Sequence, residues 1–341
     1  MNDDPRRMYI YGITIEDDTM AVWYFSRSHS AKSPEFKFME DCWTYIRVML
    51  SLMFATEEEL GYDPTIQRRL DPETNRVCFV YEVDGHYYKT QKAIFDHRSL
   101  CITGRATRVW EVIEVASFDK LQPLEGSHTM VLKDVWLDAG LMTEGDIQRE
   151  IFADLEKIAD ALQAGVEPKG FVGMDDESKQ MLRKCLLAQD WHRYFLTLVC
   201  EWQGMTSKEV AEAAEPDSTL FGAPPTTEKP FNHRHCLKRQ SRVVFKQVCV
   251  ALHDVSKLGD AMTVLLSCVF ALQLMFLAGW VHRDISSGNL YWFEGNNGEV
   301  RGILADLEYA KRFRPSDGKG SPDPKTVRMT VYIYRSEGSL T

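Results

Sequence analysis

The sequence predicts an α+β fold, and three observations predict it. Paired runs of alternating apolar residues, Tyr9 to Ile15 with Met20 to Phe25 and Arg76 to Val83 with His86 to Ile94, carry the period of half-buried strands. Stretches with helical spacing lie between and after them, such as Phe38, Cys42, Tyr45, Ile46, Met49 and Met53. Near the end, Ala261 to Trp280 runs without a charge and leads straight into a polar loop.

Taken in order, Glu16 to Thr19 separates the first two strands as a hairpin turn. Ser33 and Pro34 predict a helix start, because serine caps and proline fits the first turn. That helix is expected to end near Ala55. Thr56 to Glu59 then has the spacing of a capping box for one further turn, stopped by Gly61 and Pro64. Asp84-Gly85 is a hairpin signal between the next two strands. Residues 1–95 carry no chemistry and are expected to form an N-terminal α+β extension, with the aromatic residues Trp23, Tyr24, Phe25, Tyr87 and Tyr88 in its core.

Ser99 to Ile102, Gly104 to Thr107, and Arg108 to Val115 predict strand, turn and strand. His128 to Trp136 predicts another strand, with Lys133 inside it. A lysine in an apolar strand calls for a partner, since a buried ammonium is costly alone. The following helix opens at Glu144-Gly145, puts Ile147, Ile151, Leu155 and Ile158 on one face, and offers Glu150 or Glu144. Asp175 to Ala188 predicts a short helix and Tyr194 to Cys200 a strand. Ala213 to Lys229 has the composition of a loop or partly disordered insertion. Ser241 to Cys249 predicts a strand, and after the polar loop Leu290 to Phe293 and Val300 to Ala305 predict a hairpin.

The polar loop is Gly279-Trp280-Val281-His282-Arg283-Asp284-Ile285-Ser286-Ser287-Gly288-Asn289, and the hairpin after it ends on Asp306. An acid, an amide five residues on and a second acid at a strand end are what phosphoryl transfer from ATP needs. One carboxylate orients the attacking hydroxyl, and the amide with the other carboxylate holds Mg²⁺ against the phosphates. His-Arg-Asp-Ile-Ser-Ser-Gly-Asn, with Asp306-Leu307-Glu308-Tyr309-Ala310-Lys311 in place of Asp-Phe-Gly, resembles the fungal-type protein kinase family, from about Met8 to about Thr326.

The resemblance implies a two-lobed protein kinase-like fold: the extension at 1–95, a small lobe at 96–253 with an insertion around 164–240, and a large lobe from 254 to 341. It implies ATP and Mg²⁺. Asp284 becomes the catalytic carboxylate that accepts the proton of a Ser or Thr hydroxyl. Lys133 holds the α- and β-phosphates with Glu150 as ion-pair partner and Glu144 in reserve. Asn289 and Asp306 hold the metal. The turn at Gly104 covers the phosphates, Val109 roofs the adenine, and Gln247, Val248 and Cys249 form the hinge. The turn departs from the family's pattern, since Ala106 stands where a second glycine is usual; by residues alone a bare hairpin turn reads as well. About 35 residues follow Asp306. Ser321 to Thr326 is similar to the family's activation segment and Val327 to Thr341 is not, so the large lobe is expected to be incomplete and the chain's activity weak.

Composition narrows the other classes. The formal net charge is −10, which disfavours nucleic acid as a partner. The 8 cysteines are scattered with no Cys-x-x-Cys pair, so a reducing, intracellular setting is expected, cytoplasmic or nuclear, without disulfides or zinc. His233, His235 and Cys236 lack a second pair of ligands. The start of the chain does not have the pattern of a signal peptide. Ala261 to Trp280 is long enough to span a bilayer but is expected to be the buried helix before the catalytic loop, with no membrane partner. Two other readings stay open: a non-catalytic module that binds nucleotide or a partner, and a small-molecule phosphotransferase on the same fold.

Overall fold

Alternation of apolar side chains sets the register of the first hairpin. β1 (Tyr9–Glu16) and β2 (Thr19–Ser26) pair antiparallel, with Tyr11 opposite Tyr24 and Ile15 opposite Met20. The computed structural model describes residues 3–96, 102–209, 236–295 and 298–313. The chain divides into two compact units, one of Met1–Leu141 with Cys200–Val244, the other of Met142–Val199 with Phe245–Thr341. Sheets and helices together make the fold α+β.

In the first unit β3 (Ser30–Lys32) and β4 (Phe36–Lys37) both pair with β2. This extended pairing corrects the helix start expected at Ser33 and Pro34. Ser33 Oγ accepts from Val22 N at 3.0 Å instead of capping a helix. α1 (Cys42–Met53) starts later, and Asp41 caps it by accepting from Thr44 N at 3.1 Å. Its apolar residues do not enter a core: none of α1 is buried, and Trp43 is 80% exposed. The Thr56 box forms, with Thr56 N donating to Glu59 Oε2 at 2.8 Å and Glu59 N to Thr56 Oγ1 at 3.2 Å, but it closes a single turn.

The larger sheet contains β5 (Ile66–Leu70), β6 (Val77–Val83), β7 (His86–Asp96), β8 (Arg108–Val115), β9 (Met130–Asp138), β10 (Leu198–Thr206) and β11 (Lys238–Phe245), in the order β10-β11-β9-β8-β7-β6-β5. Asp84 and Gly85 take φ of 52° and 79°, as a two-residue hairpin turn favours. The ladder runs across residue 95, where the end of the extension is expected. β7 pairs with β8 from Tyr87 opposite Val115 to Asp96 opposite Arg108, so β5 to β7 belong to the same sheet as β8 and β9. The strand expected from Ser99 reaches outside the described residues, and β7 takes its place beside β8. Of the insertion expected at 164–240, residues 210–235 lie outside those described; the rest supplies β10 and β11 here and helices to the other unit. Tyr81, Tyr88, Val112, Leu132 and Val244 fill one core of this sheet.

The second unit begins with α2 (Glu144–Gln163), where Thr143 and Asp146 form a reciprocal cap and Ile147, Ile151, Leu155 and Ala159 make the buried face. α3 (Asp176–Leu187), capped by Asp175, buries Leu182, Cys185 and Leu186. The strand expected at Tyr194 starts only at Leu198, because Asp190–Tyr194 winds into a 3₁₀ turn that buries Trp191. α4 (Leu258–Leu277) buries Val264, Cys268, Ala271, Leu274 and Met275. Its composition would also suit a bilayer, and the helix expected to be buried is so on one side only: that side lies in the protein core, while Leu266 and Val269 are exposed. After it come β13 (Trp280–Val281), β14 (Leu290–Glu294), β15 (Val300–Leu304) and β16 (Lys311–Arg312); β12 (Val250–Ala251) joins β14 and β15 in a sheet, and β13 pairs with β16. Gly302 lets α4 lie on β15, since a Cβ there would fall 2.5 Å from Val264 O.

The first unit also buries charge. Arg242, fully buried, pairs with Asp63 and with Asp134 Oδ1 at 3.3 Å, and donates to Thr65 Oγ1 at 2.6 Å. Gln240 Nε2 donates to Asp63 Oδ2 at 3.0 Å. Burial works to raise the Asp63 pKa, but Arg242, Thr65 and Gln240 outweigh it and hold the carboxylate below its ordinary range. Asp63 therefore contributes stability above the unfolded carboxylate pKa, and this is lost as pH falls through the lower folded value. Arg242→Ala would strand two buried carboxylates and is expected to cost about 3–5 kcal/mol. Denaturant unfolding at neutral pH checks it; a loss under about 1 kcal/mol would show the network to be dispensable.

Candidate active site

The polar loop after α4 has little regular structure of its own, so its shape depends on what holds its ends. β13 leads in, and β14 leads out as half of the β14–β15 hairpin, with Leu290 opposite Leu304. Ala305, the residue after β15, binds both ends. Its N–H donates to Asn289 O at 3.0 Å, and its carbonyl accepts from His282 Nε2 at 2.9 Å. His282 is 2% exposed, and its Nδ1 accepts from Asp284 N at 3.3 Å.

This brings Asp284, Asn289 and Asp306 into one neighbourhood. Asn289 Nδ2 donates to Asp284 O at 2.9 Å and to Asp284 Oδ2 at 3.2 Å. The amide nitrogen thus fixes the side chain, and its Oδ1 is the atom left to accept or ligate. Arg283 and Asp306 both take positive φ, 71° and 60°. Such conformations cost side-chain-bearing residues energy, and they concentrate at functional sites. Leu307 N donates to Glu144 Oε1 at 3.2 Å, so the first residue of α2 reaches the segment that carries Asp306.

Among the described residues no three His, Cys, Asp or Glu side chains form a group able to hold a metal by themselves. The donors present do suit Mg²⁺. An amide oxygen and a carboxylate are hard ligands, and Mg²⁺ commonly takes one or two from protein and the rest from phosphate and water.

Glu150, the partner that the resemblance implies for Lys133, meets Arg312 within its own unit. Its Oε2 receives Arg312 Nη2 at 3.0 Å, and the same Nη2 lies 2.8 Å from Asp154 Oδ2. Trp280 Nε1 also donates to Asp154, at 3.1 Å, and the Arg312 guanidinium lies over the Trp280 ring. Glu150 and Asp154 therefore hold β16, while the reserve candidate Glu144 meets Leu307. Arg312 and Ala305 were not foreseen. Their partners lie 162 and about 20 residues away, and neither residue type signals its role.

In the first unit Val109 stands opposite Lys133 in the β8–β9 ladder, which places the two on one face of the sheet. Gly104 takes φ +133°, and open space lies where its Cβ would be. Its amide is not available to a phosphate as expected, because it donates to Arg27 O at 2.9 Å. In the second unit Gln247 is locked to Thr197: its Oε1 accepts from Thr197 N at 2.8 Å and its Nε2 donates to Thr197 Oγ1 at 2.7 Å. Val248 and Cys249 follow, and burial pushes the Cys249 thiol up to about 12. That thiol stays protonated and contributes no charge.

A family model described as fungal protein kinase matches residues 1–330 of the chain. Among curated proteins none matches it.

The His282 contacts require a neutral ring with its proton on Nε2. Burial holds its pKa below the ordinary histidine value, although the Ala305 carbonyl, Asp306 and Asp284 pull the other way. Its folded pKa being depressed, His282 contributes stability that is full above about pH 6.5 and is lost as pH falls through the lower folded value. An NMR titration of the His282 ring should show a midpoint below 6.5. A midpoint at or above that value would mean that the ring is not clamped as described.

Proposed function

Since the chain belongs to the fungal protein kinase family, we propose that it is an ATP-dependent protein kinase that transfers the γ-phosphoryl group to Ser or Thr hydroxyls. The observation that carries this reading is the fixing of Asn289 on Asp284 with Asp306 beside it, tied through Ala305. Asp284 takes the hydroxyl proton as the phosphoryl group leaves ATP. Asn289 Oδ1 and the Asp306 carboxylate would hold Mg²⁺, which supplies charge neutralisation at the phosphates. Lys133 is assigned to the α- and β-phosphates and Val109 to the adenine face. The backbone of Val248 and Cys249 is assigned to the adenine edge. Gly104 contributes the bare backbone of its loop, which leaves room for a phosphate. We give the part of the kinase glutamate to Glu144 instead of Glu150.

A labelled-ATP assay against a generic Ser/Thr substrate tests the reaction. Transfer should fall at least about a hundredfold in Asp284→Asn. Mg-ATP should raise the melting temperature of the wild-type chain, and Asp306→Ala should lose that shift. Nucleotide binding without any transfer would favour the non-catalytic module. Transfer only to small molecules would favour the other phosphotransferase reading.

The two glutamates separate further. Glu144→Gln should lower transfer while Glu150→Gln leaves it within about threefold, since Glu150 braces an exposed ion pair of small worth. The opposite ranking would return the role to Glu150.

A further inference from the structure

The first unit carries a constellation that phosphoryl transfer does not use. Tyr9 and Tyr11 lie two apart on β1, and Tyr24 stands opposite Tyr11 on β2, so all three share one face. Their ring centroids are 5.8, 5.4 and 5.7 Å apart, with interplanar angles of 78°, 45° and 51°. The three rings pack against one another as one cluster, a tyrosine box. The Lys208 ammonium lies against it, 4.7 Å from the Tyr9 centroid and 5.7 Å from that of Tyr24, and donates to the Tyr11 hydroxyl at 3.4 Å.

The box is braced from behind. Tyr9 OH donates to Glu58 O at 2.8 Å, and the turn at Gly61 lies so close that a Cβ there would fall 2.2 Å from Tyr9 O. Met8 and Trp136 pack on the same cluster. Its mouth is open, since Tyr11 and Tyr24 are half-buried and Lys208 is exposed. Burial raises the pKa of Tyr9 and of Tyr24, so both stay neutral phenols near pH 7. Attraction for a cation therefore comes from ring faces and not from phenolate charge.

We propose that Tyr9, Tyr11 and Tyr24 form a binding site for N-methylated ammonium ions, with Lys208 as its built-in occupant. A lysine ammonium is compact and strongly hydrated, and needs donors satisfied when it leaves water. Lys208 stays exposed here, with ring faces of the tyrosines and one long hydrogen bond to Tyr11. A quaternary ammonium has no proton to satisfy, so it loses nothing that the box fails to supply, and aromatic faces are what such ions bind. Lys208 is presented from the sheet: Ser207 N donates to Lys238 O at 2.7 Å and Lys238 N to Ser207 Oγ at 2.9 Å. Its ammonium competes at the high effective concentration of an intramolecular ligand. The site is thus closed to weak external cations while Lys208 occupies it.

The test titrates the full chain with tetramethylammonium and with Nε-trimethyllysine, read by NMR shifts of the tyrosine rings, against sodium at equal ionic strength. Lys208→Ala should bind both probes at least roughly tenfold more tightly than wild type. Lys208→Arg should keep the site closed. Adding Tyr24→Leu to Lys208→Ala should abolish binding, with an unchanged melting curve as the check that the hairpin still folds. No saturable binding in Lys208→Ala, equal affinity in wild type, or binding that Tyr24→Leu leaves intact would each overturn the proposal. The outcome does not depend on whether the chain transfers phosphate.

Discussion

Both polar backbone atoms of Ala305 are spent on the loop that precedes it in sequence, and the rest of the candidate site depends on that. The N–H holds Asn289 at the end of the loop, and the carbonyl holds His282 near its start. An irregular segment between two such points has few conformations left. Asp306 follows directly, so the second acid cannot move without pulling on the loop that carries the first. The left-handed conformations of Arg283 and Asp306 fit this account. Each is unfavourable alone and is held because the neighbouring bonds over-determine the chain path.

The clamp needs a rigid platform, and two sources supply it. α4 crosses β15 at Gly302 with no side chain between, so the hairpin ending at Ala305 is pressed onto an apolar helix. α2 supplies the other, through two acids with separate tasks. Glu144 takes the amide of Leu307, just past Asp306. Glu150, with Asp154, takes Arg312, whose strand pairs back on Trp280 before the loop. The segment from Trp280 to Arg312 is therefore closed by β13–β16 at its base and by Ala305 within.

What the sequence made legible was local. The loop from His282 to Asn289, the β14–β15 hairpin and the buried face of α2 follow from periodicity and short spacing, and the structure places them as expected apart from small shifts at the ends. What it hid was set by distant partners. Ser33 and Pro34 carry a helix-start signal, yet β2 claims the segment as a strand partner. Glu150 and Glu144 sit on one helix as two plausible acids. What each of them meets, Arg312 or Leu307, lies more than 160 residues downstream. The place of β7 was hidden likewise, because nothing in residues 86–96 says that β8 lies beside them.

The loop assigned to the phosphates shows how a departure from a sequence pattern can be absorbed. With Gly104 as its one glycine, the turn before β8 lacks the freedom that several glycines give. The structure supplies bracing instead. Arg27 accepts from Gly104 N through its carbonyl and donates from Nη1 to Ile102 O at 3.1 Å. Arg105 O accepts from Trp136 N at 2.7 Å, and Ala106, at φ 46°, packs beside Trp136 and the tyrosine box. A turn fixed at these points has few conformations open to it. Its shape is then shared with its supports, and Trp136 belongs both to the strand of Lys133 and to the wall behind Tyr9.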